Sequence, residues 1–343
     1  MARILLVGPG AIGAFIGARL AASGHDLLVA CRTVETAERI LQVGLVATDH
    51  EGRATHADVR VLTTPEELTD DPDLAIIATK CADAEAAVRD WSDVLPLDCP
   101  VVAMQNGLMG DRLAPHAGGR LIESVVAFPA TLEGIGRSIQ TGPGGILIGA
   151  WPPTGLASGR DKAEAAAVLL RDAVPTDVRD DIEGAKWTKL IINACITSLG
   201  VVTGRDLGDL LRDPRARDAF LAITTEGHRT GQALGVDFEK VAGFTPRLFA
   251  YPDGPSFPAR LWRHQLLKVV GRKHRRQRSS SLQSLERGRK TEVDELNGAL
   301  VRAAHRQGVP VPTNETILAL VHDIEAGRRP QGMENLDDVP RTY

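Results

Sequence analysis

A chain of 343 residues, 43% hydrophobic and 24% charged, is long enough for two separate cores and has the composition of an ordinary globular protein. Its net charge of −4 argues against a generally basic nucleic-acid binder. Four cysteines, Cys31, Cys81, Cys99 and Cys195, show neither C-x-x-C pairing nor metal-ligand spacing. They read as reduced, buried small hydrophobes in a cytoplasmic protein, and no metal site is expected.

The first element is the apolar run Ile4 to Val7, read as a strand, which breaks into Gly8-Pro9-Gly10-Ala11-Ile12-Gly13. That break comes too early for an export signal, and no later run reaches the roughly 20 apolar residues that span a bilayer. Strand, G-x-G-x-x-G, then a small-residue helix through Ala22 is the setting in which this motif marks a dinucleotide site. Gly8 permits the tight turn, Gly10 a close approach of pyrophosphate, and Gly13 close packing of helix on strand. The helix N-terminus offers unpaired N–H groups to the phosphates. Asp26 to Cys31 reads as the second strand, and Arg32 follows it where NAD sites usually carry Asp or Glu. A guanidinium there suits a 2′-phosphate, so NADPH is the expected cofactor; a solvent-exposed loop arginine is the competing explanation.

Further along, Glu35 to Gln42 reads as a helix, and Leu45 to Ala47 with Val59 to Leu62 as strands around the turn His50-Glu51-Gly52. Leu74 to Ala78 has the uninterrupted apolar character of a strand covered on both faces. A helix over Asp83 to Val94, a strand over Val101 to Met104, and strands at Leu121 to Ala127 and Gly145 to Ile148 complete the first half. The alternation predicts an α/β fold with a Rossmann-type doubly wound sheet. From Ile182 the spacing turns helical, at Ala185 to Leu199, Ala216 to Leu234, Val293 to Gln307 and Thr313 to Ala326. The expected domains are an NADP-binding Rossmann domain over 1–178, an all-helical substrate and catalytic domain over 179–330, and a surface tail over 331–343. Catalytic groups are expected where an interdomain cleft receives the nicotinamide.

Two clusters carry chemistry. In Trp187-Thr188-Lys189-Leu190-Ile191-Ile192-Asn193, helical spacing puts Lys189 and Asn193 on one face of an otherwise apolar helix. A lysine there is costly to desolvate unless it has work or a partner, although snorkelling to solvent is the usual fate of a helix lysine. Lys186 reads as the exposed kind. The second cluster runs from Ser279-Ser280-Ser281 to Thr291-Glu292-Val293-Asp294. Taken alone, Ser280 reads equally as a helix cap and Glu292 as part of a helix start.

Together these motifs resemble the ketopantoate reductase family (2-dehydropantoate 2-reductase) from Arg3 to about Ala326. The resemblance rests on the glycine loop, Lys80 after the Leu74 strand, Gln105-Asn106-Gly107, Trp187-Thr188-Lys189-Leu190 with Asn193, and Ser280 ahead of Glu292. It implies that Lys189 is the general acid and Asn193 a substrate-orienting amide. Ser280 would hold the substrate carboxylate, with Glu292 near the substrate hydroxyl and the lysine. Lys80 and Asn106 would line the nicotinamide end, and Arg32 would face the 2′-phosphate. An ammonium beside the ketone oxygen stabilises the charge that hydride delivery develops and returns a proton, and Glu292 is placed to pair with it.

The sequence departs from the family pattern in three places. Thr197-Ser198 replaces a second asparagine and a proline, with Thr197 expected as the substrate-binding group in that position. Ser284 replaces an aspartate. The stretch from Phe249 to Arg278 is long, with Pro252, Pro255 and Pro258 and a basic run from Arg272 to Arg278. The expected activity is NADPH-dependent reduction of 2-dehydropantoate or a related 2-keto acid. The alternatives are a different 2-keto acid and an inactive NADPH-binding regulatory protein. The expected partner is a small 2-keto acid, with neither nucleic acid nor membrane, and a homodimer is left open. The basic run reads first as a solvated face, then as an anion-binding edge, and least as a nucleic-acid site.

Overall fold

The computed structural model describes residues 1–152, 157–251, 254, 256–273 and 279–340. Pro252, Pro255, most of the basic run (274–278) and the last three residues of the chain lie outside the described residues. The chain divides into two compact units, Met1–Ile182 and Glu183–Tyr343. Among the described residues, no helix is long and apolar enough to cross a membrane.

The first unit runs β1 (Arg3–Val7), α1 (Ala11–Ala22), β2 (Asp26–Ala30), α2 (Val34–Val43), β3 (Leu45–Thr48), β4 (Ala54–Ala57), β5 (Arg60–Leu62) and β6 (Leu74–Ile77). It continues through α3 (Cys81–Ser92), β7 (Val101–Ala103), α4 (Gly110–Ala117), β8 (Leu121–Val126), β9 (Ala130–Gly134), β10 (Arg137–Gln140), β11 (Ile146–Ala150), α5 (Ala157–Leu170) and β12 (Thr176–Val178). The main sheet has the order β12-β11-β8-β7-β6-β1-β2-β5. From β5 to β8 it is parallel and reads as the strand order of dinucleotide-binding folds, with the switch point between β1 and β6. β11 runs antiparallel to β8, and β12 pairs parallel with β11, so these two strands run against the rest. Leu74 to Ile77 are fully buried because separate apolar clusters cover the two sheet faces.

One expectation is corrected. Leu45 to Ala47 does not share a sheet with Val59 to Leu62. The hairpin around the His50 turn closes with β4, in register Leu45 with Ala57, within a second sheet of order β4-β3-β10-β9. β5 instead extends the main sheet beside β2. The strand Ala54-Thr55-His56-Ala57 alternates between exposed and half-buried positions, so it carries little apolar signal.

The second unit is helical: α6 (Glu183–Thr203), α7 (Leu207–Leu210), α8 (Pro214–Ala233), α9 (Pro246–Phe249), α10 (Phe257–Lys273), α11 (Ser280–Glu286), α12 (Asn297–Arg306) and α13 (Pro312–Glu325). The helix expected from Val293 starts at Asn297, because Glu292 to Leu296 fold into a turn held by the amides of Glu295 and Leu296 on the Glu292 carbonyl. The stretch after Arg328, expected on the surface, is partly buried. Asn335, Leu336 and Val339 are enclosed, and Leu336 and Val339 join the helical core. The reason is capping. Gln331 Nε2 donates to the Val201 carbonyl at 2.7 Å, and Asn335 Nδ2 to the Val202 carbonyl at 2.9 Å. These are among the carbonyls that the end of α6 leaves without helical partners.

Candidate cofactor-binding and catalytic site

In the first unit the glycine loop leaves the C-terminal end of β1. Gly8 adopts φ +94°, and a side chain there would lie 2.8 Å from the Thr79 amide nitrogen. At Gly13 a Cβ would sit 2.3 Å from the Gly8 carbonyl oxygen, so the turn closes only on glycine. Gly10 differs, since a Cβ there would meet nothing nearer than the Ala78 oxygen at 3.9 Å. The chain's own packing does not demand glycine at 10, and the space suits an approaching ligand. Gly10 is also the N-cap of α1 and supplies no side-chain cap, and the first turn has no acidic residue. A helix start of this kind favours phosphate. Pro9, Ala11 and Ile12 are half-buried around it. Thr79 Oγ1, at the end of β6, is buried with no hydrogen-bond partner among the described residues. A buried orphan hydroxyl beside this loop asks for a ligand polar group. The donor set therefore fits a dinucleotide pyrophosphate.

Arg32 follows β2 and is largely exposed; its Nη1 donates to Asp83 Oδ1, in the first turn of α3, at 2.9 Å. Lys80 is the exposed N-cap of α3, and Asn106 is half-buried, its carbonyl accepting from Cys81 Sγ at 3.4 Å. Gln105 fixes this edge: its buried amide donates to the Ile77 and Thr79 carbonyls at 3.0 and 2.9 Å, tying the ends of β6 and β7 together. All four cysteines are free and buried, and burial pushes the Cys31 thiol up to about 11.

In the second unit, α6 places Lys189, Asn193 and Thr197 on one face by successive four-residue steps. Burial pushes the Lys189 ammonium down to about 8. Two expectations are corrected here. Lys186 is not exposed, at 4% accessibility, whereas Lys189 is half-buried. Lys189 forms no ion pair with Glu292 or any other carboxylate among the described residues, and burial is the one cause of its shift. Glu292 is half-buried, held in the turn ahead of α12 rather than on a helix face.

Ser280 is the exposed first residue of α11, and the cap is its neighbour. Ser279 Oγ accepts from the Leu282 amide at 3.1 Å and donates to the Thr197 carbonyl at 3.3 Å. A Cβ at Gly200 would come 2.8 Å from Ser279 Oγ, so glycine lets α11 start directly against α6. The structure thereby brings Ser279, the residue before Ser280, against the Thr197 carbonyl.

Sequence reasoning did not find the support behind this face. Ser198 bonds to Asn297, whose Nδ2 donates to Asn314 Oδ1 at 2.9 Å. Asn314 Nδ2 donates to Glu226 Oε2 at 2.7 Å, and the Thr313 and Asn314 amides donate to the same carboxylate at 2.8 and 2.9 Å. Every side chain in this chain of bonds is buried. Burial raises the Glu226 pKa while the donated bonds oppose the rise. Directional bonds of this kind fix the rotation of α6, which apolar contacts alone leave soft. The available signal was a set of asparagines at apolar helical positions.

Comparisons with known proteins agree with this architecture. Residues 4–153 match the family model "Ketopantoate reductase PanE/ApbA", and residues 181–325 its C-terminal counterpart. A 2-dehydropantoate 2-reductase of Archaeoglobus fulgidus is 26% identical over 95% of this chain and 98% of its own. One from Mesorhizobium japonicum is 29% identical, covering 95% and 98%. Among solved structures, a PanE/ApbA family ketopantoate reductase from Ralstonia eutropha superposes with a TM-score of 0.78 at 24% identity, over 95% of this chain and 99% of that one. A D-mandelate dehydrogenase holding NADH and anilino(oxo)acetate also scores 0.78, at 20% identity over 95% and 99%, and shares the fold. With both halves matched in order, the chain belongs to the ketopantoate reductase family.

Proposed function

We propose that the protein is an NADPH-dependent reductase of a small 2-keto acid, 2-dehydropantoate or a close relative. The observation that carries this reading is a half-buried lysine on α6, without a carboxylate partner, in a chain whose first unit has a pyrophosphate-shaped glycine loop. The glycine loop with Thr79, Lys80 and Asn106 would hold the dinucleotide, which when bound supplies the hydride. Lys189 Nζ donates a hydrogen bond to the ketone oxygen, stabilises the developing alkoxide and delivers the proton. Asn193 and Thr197 orient the substrate, Ser280 binds its carboxylate and Glu292 its hydroxyl side. The curated relatives named 2-dehydropantoate 2-reductase support the reaction class.

The test is oxidation of NADPH against a panel of 2-keto acids. Turnover is expected with 2-keto carboxylates and not with simple ketones. Ketones reduced as well as keto acids would remove Ser280 from its carboxylate role. Thr197, Ser198 and Ser284 stand where the family pattern has larger amide, ring or acidic groups, so another acid is expected to equal or exceed 2-dehydropantoate in kcat/KM. A strong preference for 2-dehydropantoate over every other acid would show these substitutions to be neutral.

Cofactor choice rests on Arg32. Its Nη1 donates to the Asp83 carboxylate at 2.9 Å in an exposed pair, and a 2′-phosphate is expected to take the guanidinium over from that carboxylate. Arg32→Ala is expected to raise KM for NADPH about tenfold or more and KM for NADH little, the loss of one charge-assisted phosphate contact. Equal effects on both cofactors, or a wild-type preference for NADH, would defeat this assignment.

A further inference from the structure

Away from the proposed catalytic residues, α7 and α10 meet in the helical unit. A cavity of about 440 Å³ opens there, walled by Gly208, Leu211 and Gly271 and rimmed by Arg212, Lys268 and Arg272. Among the described residues no carboxylate lines it. Asp209 pairs with Arg212 at 3.1 Å, while Lys268 and Arg272 have no ion-pair partner among the described residues. Lys268 and Arg272 stand four residues apart on one helix, a spacing at which like charges repel. The surrounding sequence deepens the imbalance: from Ser256 to Arg278 there are eight Lys and Arg and no Asp or Glu, in a chain of net charge −4. A helix C-terminus favours cations in its last turn. That preference accounts for neither the cavity nor the arginine on the facing element.

Both walls are rigid. Arg217, buried, donates to the Leu211 and Arg212 carbonyls at 2.8 Å each, fixing the backbone that carries Arg212. On the other side, buried Asp218 holds Arg260 at 2.9 Å and His264 at 2.9 Å, anchoring α10 on α8. A Cβ at Gly271 would lie 2.9 Å from Leu211 Cβ, so the helices meet closely at the cavity floor. Three cations on preset backbones around a concave opening form an anion receptor whose geometry is in place before any ligand arrives.

We propose that this cleft is a binding site for a phosphate-bearing ligand, separate from the glycine loop and independent of the reductase reading. The arginines give bidentate contacts to phosphate oxygens, and Lys268 adds a point charge. The phosphate belongs either to a soluble ester or anhydride or to an anionic lipid headgroup, and the experiment separates the two. Pyrophosphate is titrated calorimetrically into the full-length protein and into a Lys268→Glu/Arg272→Glu variant. Vesicles of phosphatidylglycerol or of phosphatidylcholine are then sedimented with each. The glycine loop is common to both proteins, so only binding that the double variant loses is scored. A soluble ligand predicts a saturable pyrophosphate isotherm weakened at least tenfold in the variant, with no vesicle retention. A headgroup ligand predicts retention on phosphatidylglycerol alone, lost in the variant. No binding of either probe, or binding that the charge reversals leave unchanged, overturns the proposal. Neither substituted side chain is fully buried, and circular dichroism checks that the variant is folded.

Discussion

Lys189→Ala is expected to lower kcat by about 10²–10⁴-fold while dinucleotide binding stays within a few-fold of wild type. The lysine acts on charge that exists only in the transition state, so its removal costs turnover rather than cofactor affinity. The depressed pKa adds a pH signature. The working form is the ammonium, so activity is expected to be level below about 8 and to fall about tenfold per pH unit above it. Stability should move the other way. A buried lysine whose folded pKa lies below its ordinary 10.5 weakens the fold at neutral pH, and the penalty fades as pH rises from about 8 to 10.5. Lys189→Met should therefore be catalytically dead yet more stable at pH 7, by about 2–3 kcal/mol, with the gain gone near pH 11. Wild-type turnover in Lys189→Ala would remove the lysine from the mechanism. A Lys189→Met variant less stable than wild type at pH 7 would show that the ammonium is compensated.

The second large effect belongs to Glu226. Glu226→Ala strips the acceptor from two backbone amides at the start of α13 and from Asn314 Nδ2. Truncating one partner of a buried charged network typically costs about 3–5 kcal/mol, because the remaining donors are left dry. Urea unfolding is expected to register a loss of that size. Glu226→Gln, which keeps one carbonyl acceptor and the shape, should lose less. Asn297→Ala sits two links along the same chain and should loosen α6 itself, lowering kcat more than its smaller stability loss explains. A loss below about 1 kcal/mol for Glu226→Ala would mean that water substitutes for the carboxylate.

The sequence revealed the parts of this fold whose local chemistry points one way. Strand, glycine loop and helix coincide at residues 3–22, and the fully apolar run at Leu74 could only be a central strand. Elements whose stability comes from elsewhere were opaque. β4, β9 and β10 are short strands with little apolar signal of their own, β10 burying Ser138 and Gln140 instead, and they acquire meaning only by pairing with β3 and with one another. α10 follows Pro252 and Pro255 and takes Pro258 into its first turn, and these prolines punctuate sequence more loudly than the Asp218 contacts that anchor the helix. At the site, Lys189 and Asn193 were legible from spacing. Lys186 was misjudged because exposure is a tertiary property. Ser279, rather than Ser280, proved to be the cap, because a run of three serines offers no local way to choose. The supporting asparagines were invisible for a related reason, since a buried amide looks like a surface one until its partners are known.

The capping of α6 by Gln331 and Asn335 fixes an order of events during synthesis. The longest helix of the second unit begins at Glu183 but has its terminal carbonyls satisfied by residues about 130 positions further along the chain. The first unit closes as a compact unit by Ile182. At ordinary elongation rates, roughly ten seconds or more separate the two moments. Over that interval α6 gains α8, α11 and α13 to pack against but lacks the side chains that cap its C-terminal end. Ending the chain before residue 331 is therefore expected to leave the Val201 and Val202 carbonyls uncapped and the last turn of α6 frayed.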